Sequence, residues 1–366
     1  MEEWKLNRHT IRWVAFVLSA TLGAAACSGS ASPSATGAAA TTPGGAASPE
    51  QSVAPSASAA AQEKVRIAFV AGQIGITFYT GVECGAKQAA KDYNVDLNWN
   101  GSHNWDINEE RPIIDADLAT NPQGWVISPT DPDALISTIT DLMNKGIPVV
   151  TIDAPMSKPA ELQNIQSNHY QGGQAAAAAM IKLTGGKGKY LVLQLTPGLP
   201  DIGGRAKGFE DDMAKAGATL LPDVYPGTDQ ALAADAVTAA IGANPDLAGV
   251  YATHETAANG AASAIKAAGK QGAIKLVAFD SAPNQIADLK KGVYDALIAQ
   301  APFNMGYNSV KLVAQVIRKE VDPATVKHDT PTALLAITKD NVDSPETLPW
   351  IYPADLSACP SKPLGG

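Results

Sequence analysis

The chain has 366 residues, a formal net charge of −9 and 17% charged residues. Its length suits two lobes of about 130 to 150 residues each behind an N-terminal leader. Lys and Arg nowhere form a cluster of five or more, so the sequence argues against nucleic acid, which proteins bind largely through its phosphates, as a partner.

Residues 1–26 have the pattern of a signal peptide. Basic residues precede the apolar run WVAFVLSATLGAAA, which is about as long as the core of such a peptide and too short to span a bilayer comfortably. Cys27 follows at once in AAAC, which resembles a lipobox, where the cysteine is acylated, although Ala24 stands where Leu is more usual. An ordinary cleavage site with an incidental cysteine is the alternative. We expect an extracytoplasmic protein anchored to the cell membrane by a lipid on Cys27.

Residues 27–63 continue the chain with little besides Ala, Ser, Pro, Thr and Gly. Such a segment cannot bury enough apolar surface to offset the entropy of ordering, so it predicts a disordered tether behind the lipobox cysteine. As a random coil it would reach roughly 30 Å, which would keep the folded body near the membrane but not on it.

From Val65 onward, short apolar runs alternate with helical patterns. VRIAFVA precedes a helix near 78–93, VDLNWN precedes one near 108–121, and GWVIS and PVVTID flank the helical DPDALISTITDLMNKG. The same order restarts in KYLVLQLT, GRAKGFEDDMAKAG, LAGVYAT, IKLVAFD and YDALIAQ. Strand and helix repeated at this spacing predict parallel sheets covered on both faces, in an α/β protein of two lobes.

Polar and aromatic side chains follow these apolar runs. They are Phe78, Tyr79, Thr130, Asp131, Asp153, His254, Glu255, Asp280 and Gln300. In open parallel sheets ligands bind outside the carboxyl ends of the strands. Carboxylates and amides that accept and donate hydrogen bonds, together with ring faces, suit a polyhydroxylated ligand.

The sequence segments quoted above, taken in their order along the chain, resemble the sugar-binding solute receptors of ABC importers, the ribose-binding, type I periplasmic binding protein family. The resemblance runs from about residue 65 to 342 and includes NHYQGGQAAA, GRAKGFEDDM, GVYATHETAANGAASAIKAAG and LLAITKDNV. It implies a two-lobed receptor, with two Rossmann-like parallel-sheet lobes joined by a three-strand hinge. The N-terminal lobe would comprise 64–167 plus 301–330 and the C-terminal lobe 168–300 plus 331–342, with 343–366 as a tail.

The resemblance also implies roles for individual residues. Phe78 and Tyr79 match aromatics that sandwich a sugar ring, and Asp153 matches an acid that binds hydroxyls. His254 and Glu255 fall where the family usually has Asn-Asp, and Asp280 and Gln300 match an acid and an amide on the second-lobe side.

Two arginines common in the family are absent, because Ala154 and Gly203 stand in their places. A cleft that is rich in acids and poor in arginine fits another pentose or hexose, a linear sugar alcohol or an amino sugar better than ribose. The implied partners are such a small sugar or polyol and an ABC permease with its cytoplasmic ATPase. The implied protein is a monomer without enzymatic activity, metal or cofactor.

Several of these residues have a structural alternative. Consecutive helical residues diverge by about 100°, so at most one of Phe78 and Tyr79 is expected to be buried in the core. Glu255 would support the hinge, Trp105 would stack over the cleft mouth or simply pack, and Arg205 would bind ligand or pair with Asp211 or Glu210.

Two other functions are compatible with export. A sensory receptor that presents a sugar-like signal to a signalling partner would have the same fold and site. A secreted hydrolase lacks support because the sequence has no G-x-S-x-G elbow and because Ala258, four residues after His254, denies a zinc-binding helix its second histidine.

Two cysteines remain besides Cys27, namely Cys84 and Cys359, and the protein is predicted to reach an oxidising compartment. A disulfide between them would attach the tail to the first lobe, but their separation in space does not follow from the sequence.

Overall fold

The computed structural model describes residues 64–365. The predicted signal peptide, Cys27 and the tether all lie outside these residues. Within 64–365, no helix combines the length and the apolar character that crossing a bilayer requires.

Within residues 64–365, twelve strands form two six-stranded sheets. The first sheet contains β1 (Val65–Ala71), β2 (Val95–Gly101), β3 (Gly124–Ile127), β4 (Val149–Ile152), β5 (Gln163–Ser167) and β11 (Asp329–Thr332), in the order β11-β5-β4-β3-β1-β2. The second contains β6 (Lys189–Leu193), β7 (Thr219–Leu220), β8 (Leu247–Ala252), β9 (Lys275–Phe279), β10 (Ala296–Ala299) and β12 (Leu335–Ile337), in the order β12-β10-β9-β8-β6-β7. All pairings are parallel except that of β10 with β12.

Helices cover both faces of each sheet. They are α1 (Thr77–Asp92), α2 (Ile107–Leu118), α3 (Ile136–Asn144), α4 (His169–Thr184), α5 (Pro200–Ala216), α6 (Gln230–Ala243), α7 (Glu255–Ala267), α8 (Pro283–Lys291) and α9 (Pro302–Ile317). Central strands such as β3, β4 and β10 are buried along their whole length, as expected for a parallel sheet with two covered faces. The predicted fold class of two α/β lobes is confirmed.

The chain passes three times between the sheets. β5 leads into α4, β10 leads into α9, and β11 leads into β12. The first two helices pack against the lobe that they enter, α4 on α5 and α9 on α1. This contact is close: a side chain on Gly173 of α4 would lie 2.0 Å from the Arg205 carbonyl oxygen. Only glycine allows that approach, which brings α5 and its Arg205 against α4.

Two expectations need correction. β11 extends through Pro331 and Thr332, which pair with Gln166 and Ser167 of β5, so the first lobe runs two residues past its predicted limit at 330. Phe78 and Tyr79 are both buried, where at most one was expected. The prediction was wrong because the first turn of α1 is covered from two directions, by its own sheet and by the carboxyl-terminal segment, whose Tyr352 lies against Phe78.

Candidate functional site

Two aspartates stand at equivalent positions of the two sheets. Asp153 follows β4 and Asp280 follows β9, and each of these strands is third in its sheet. Both residues have left-handed backbones, with φ of 65° and 75°, which costs a non-glycine residue on the order of 1 kcal/mol. Their backbone N–H groups donate to Ile165 and Ile298 of the adjacent strands. Backbone strain of this kind clusters at ligand sites.

The strand ends of the two sheets enclose a cavity of about 50 Å³. Nine of the candidate residues line it: Phe78, Tyr79, Trp105, Asp153, Arg205, His254, Glu255, Asp280 and Gln300. Gln73, Ile76, Leu195, Asp201, Ile202 and Thr256 complete the wall. Thr130 and Asp131 lie elsewhere, where Thr130 donates to Glu110 and Asp131 accepts from the backbone that follows it.

On the first-lobe wall, the Tyr79 hydroxyl donates to Asp153 Oδ2 at 2.8 Å and lies 2.6 Å from Ser128 Oγ. The rings of Phe78 and Tyr79 meet edge to face, with centroids 5.1 Å apart, so they do not face each other across a sugar-sized gap. Tyr79 therefore acts on the site mainly through its hydroxyl, which orients the Asp153 carboxyl group.

Trp105 extends from the first lobe to the second. Its ring packs against a small cluster formed by Leu195, Leu199 and Ile202. Its Nε1–H is buried and has no hydrogen-bond partner in the protein. Trp105 thus packs and lines the cavity at once.

Arg205 supplies the guanidinium of the site. It is 3% exposed and donates to His169 Nδ1, the Thr253 carbonyl oxygen and Gln300 Oε1, at 3.1, 2.8 and 3.2 Å. Asp153 Oδ1 lies 4.0 Å away in the opposite lobe. The guanidinium also lies over the Phe279 ring, 4.1 Å from its centroid.

The alternative pairing of Arg205 along its own helix does not occur. Asp211, one of its two candidate partners, binds Lys207 and the Tyr170 hydroxyl instead. Arg205 thus points into the cleft, where it is the cation facing the acids of both lobes.

The second-lobe acids are held by neighbouring donors. Asp280 Oδ1 accepts from Gln300 Nε2 and the Tyr352 hydroxyl, and its Oδ2 accepts from the backbone N–H of Glu255. Glu255 Oε2 accepts from Thr77 Oγ1 of the first lobe at 3.0 Å. With Arg205 and Trp105, this bond joins the lobes across the cleft, so the structure is that of a closed form.

Burial sets the protonation of the cavity wall. It raises the pKa of Asp153 to about 7, against the lowering effect of the Arg205 guanidinium. Burial also raises the pKa of Glu255 to about 7, and the charge of Asp280 adds to this shift. Burial lowers the pKa of His254 to about 4. At neutral pH His254 is therefore uncharged, whereas Asp153 and Glu255 each donate or accept according to their protonation.

Asp201 is a cavity residue that sequence analysis missed. It is 3% exposed, its Oδ1 is buried without a hydrogen-bond partner, and burial raises the pKa of its carboxyl group. Asp201 lies four residues before Arg205 on α5, so the two side chains share one face of that helix. That spacing was the available signal. For Tyr352, which also contacts the site, the sequence held no comparable signal.

Comparison with known proteins identifies the family of the chain. The family model described as periplasmic binding protein domain matches residues 67–320. The ribose import binding protein of Salmonella typhimurium is 27% identical over 72% of this chain and 88% of its own length. A xylitol-binding protein of Mycolicibacterium smegmatis is 26% identical over 74% of this chain and 78% of its own length. The crystal structure of an ABC transporter solute-binding protein from Agrobacterium vitis, bound with α-D-tagatopyranose, aligns with a TM-score of 0.75 and 30% identity, over 79% of this chain and 99% of that one.

Proposed function

The chain belongs to the periplasmic binding protein family, and we propose that it binds a neutral monosaccharide or sugar alcohol in the cavity between its lobes and presents it to an ABC permease. As a member of this family it is an extracytoplasmic sugar-binding receptor of an importer and not an enzyme. The relatives bind different sugars and polyols by name, so the choice of ligand rests on the cavity of this chain.

The observation that carries the proposal is the convergence of strand-end side chains from both lobes on one closed cavity. Residues as far apart in sequence as Tyr79 and Gln300 share its wall. A ligand that contacts both lobes binds the closed form more tightly than the open form, and it therefore favours closure of the cavity.

The polar groups favour a ligand rich in hydroxyl groups. Each hydroxyl both donates and accepts, and so do Asp153 and Glu255 at a pKa near the ambient pH. Trp105 Nε1 offers a donor and Asp201 Oδ1 an acceptor that the protein itself leaves unused. A neutral polyol satisfies such a mixed wall without adding a charge.

Four further features belong to the proposal. A lipid on Cys27 would hold the protein at the cell membrane, with residues 28–63 as the tether. The protein would act as a monomer, and the permease would carry its ATPase on the cytoplasmic side. The signal peptide of residues 1–26 would direct export.

A thermal-shift screen tests the proposal. The panel contains D-ribose, D-arabinose, D-allose, D-tagatose and xylitol, with D-glucosamine as the charged competitor and L-leucine as the unrelated control. At 100 times its Kd, a ligand stabilises the protein by about 2.7 kcal/mol. Stabilisation by a neutral member supports the proposal. Stabilisation by D-glucosamine alone would replace neutral sugars with amino sugars, and no stabilisation by any sugar or polyol would overturn the proposal.

A further inference from the structure

The carboxyl-terminal segment connects the two lobes a fourth time. Residues 343–365, here called the strap, begin at the second lobe, where Lys290 pairs with Asp343 and the Trp350 carbonyl oxygen accepts from Ser281 Oγ at 2.5 Å. Trp350 and Ile351 pack on the core of that lobe. The strap then crosses to the first lobe.

On the first lobe the strap is attached covalently. A disulfide joins Cys359 to Cys84 of α1. Beyond it, the Leu364 backbone N–H and carbonyl oxygen both bond to the Asn304 side chain of α9. The strap is therefore fixed at its far end to the two helices that support the first-lobe wall.

Tyr352 lies where the strap crosses, and it is 3% exposed. Its hydroxyl donates to Asp280 Oδ1 at 3.0 Å and accepts from the backbone N–H of Gln300 at 3.0 Å. Its own N–H donates to the Ser281 carbonyl oxygen, and its ring meets Phe78 at a centroid distance of 5.9 Å. One strap residue thus contacts three residues of the cavity wall without lining the cavity itself.

We propose that the strap is a disulfide-anchored interlobe connection and that Tyr352 is a positioning residue, which holds Asp280 and Gln300 in the geometry from which they face the ligand. The role of those two residues toward a ligand rests on the proposed function. The positioning itself does not, because the hydrogen bonds join groups of the protein alone.

Hydrogen–deuterium exchange of the unliganded protein tests the positioning. In Tyr352→Phe the Gln300 amide loses its acceptor, and its exchange should accelerate about tenfold, as expected for the loss of one hydrogen bond in a buried charged network. The decisive amide is that of Glu255, which donates to the other oxygen of Asp280 and does not touch Tyr352. Its exchange should also accelerate, because the Asp280 carboxylate loses its fixed orientation.

Tyr294→Phe is the matched control, since it removes a hydroxyl from another buried tyrosine, bonded to Asn259 in the second lobe. It should leave both amides unchanged. A Tyr352→Phe variant in which the Glu255 amide exchanges at the wild-type rate would overturn the positioning role, even if its melting temperature fell.

The strap is tested by Cys84→Ser combined with Cys359→Ser, and in parallel by mild reduction of the folded wild-type protein, which avoids any defect in folding. Both should accelerate exchange at Gln300 and Glu255, whereas amides of β1 remain protected. Wild-type exchange at both amides in the reduced protein would overturn the covalent anchoring.

Titration calorimetry with D-ribose, D-arabinose and xylitol links the positioning to binding. Any of these that binds the wild-type protein should bind Tyr352→Phe about tenfold more weakly, and equal affinity would refute the link. If none binds the wild-type protein, the proposed function loses support from these probes, while the exchange result still decides the role of Tyr352.

Discussion

Asp153→Asn should change how the stability of the unliganded protein depends on pH. The pKa of Asp153 is about 7 in the folded protein, against an ordinary value of 3.8, because the carboxyl group is buried. Between these two values the folded state holds a proton that the unfolded state has released. Stability from this group is therefore fully present at low pH and is lost as the pH rises toward 7.

The size of the change in stability follows from the pH interval over which the folded protein holds the extra proton. Each pH unit across which the folded protein holds one extra proton changes the free energy of unfolding by about 1.4 kcal/mol. Between pH 5 and pH 7 the wild-type protein should lose roughly 2 to 3 kcal/mol relative to Asp153→Asn, which has no carboxyl group to ionise. His254, with its lowered pKa, and Glu255, with its raised pKa, also titrate, but both are present in the two proteins, so their contributions largely cancel in the difference.

Urea unfolding followed by circular dichroism at pH 5 and pH 8, at constant ionic strength, measures this difference. Asp235→Asn, at an exposed position of α6, controls for the loss of one carboxyl group from the surface. If the free-energy difference between wild type and Asp153→Asn is the same at both pH values, or if the wild type gains relative stability as the pH rises, then burial does not govern this carboxyl group.

Three further outcomes are expected. Thr77→Val should weaken binding of the sugar identified by the screen about fivefold, because it removes one interlobe hydrogen bond of the closed form, whereas Thr77→Ser should bind like wild type; titration calorimetry that finds no difference between the two would contradict this. Asp201→Asn should lower the affinity for that sugar at least tenfold. It should leave the unliganded protein as stable as wild type or more stable, because a buried carboxylate oxygen without a partner is costly. Undiminished affinity would remove Asp201 from the site. Cys27→Ser should move the protein from the membrane fraction to the soluble fraction in cells, and continued membrane association would argue against the lipid anchor.

Asp280 illustrates why a cavity residue is not always a clean test of binding. Three donors converge on its carboxylate, from Gln300, Tyr352 and the Glu255 backbone. Replacing it with alanine would leave those donors buried without an acceptor, so stability and affinity would fall together. Asp201 makes no comparable side-chain bridge to another element, which makes it the sharper test.

The fold was predictable because its determinants are local. Strands such as GWVI and ALIA are apolar at every position and fully buried, which is how a strand inside a parallel sheet differs from a surface strand. Asp153 and Asp280 were predictable for the same reason, since a residue that directly follows a buried parallel strand lies at the edge of the sheet where ligands bind. Asp131, which stands four residues after the end of β3, lies outside the cavity.

The contacts of Tyr352 were not predictable in this way. The segment around it has neither a strand nor a helix periodicity, and its partner Asp280 lies 72 residues away in the sequence. Its place depends on the docking of the whole strap, which tertiary contacts decide. The disulfide raised the same difficulty: the two cysteines that remain besides Cys27 suggested a pair, but only the fold brings the Cα atoms of Cys84 and Cys359 within 5.4 Å.

The closed site consists of two halves, each with its own set of hydrogen bonds. On the first lobe, Tyr79 and Ser128 hold Asp153 in place, and on the second lobe, Gln300 and Tyr352 hold Asp280. The hydrogen bonds to Asp153 lie within the first lobe, so Asp153 should keep its position when the cleft opens. Tyr352, by contrast, packs in the first-lobe core against Phe78 while it bonds to Asp280, so the strap links Asp280 to both lobes. What opening breaks is the Thr77–Glu255 hydrogen bond, the approach of Arg205 to Asp153 and the packing of Trp105. These contacts carry the difference between the two states, and a ligand that touches both aspartates adds its own binding energy to them only in the closed form.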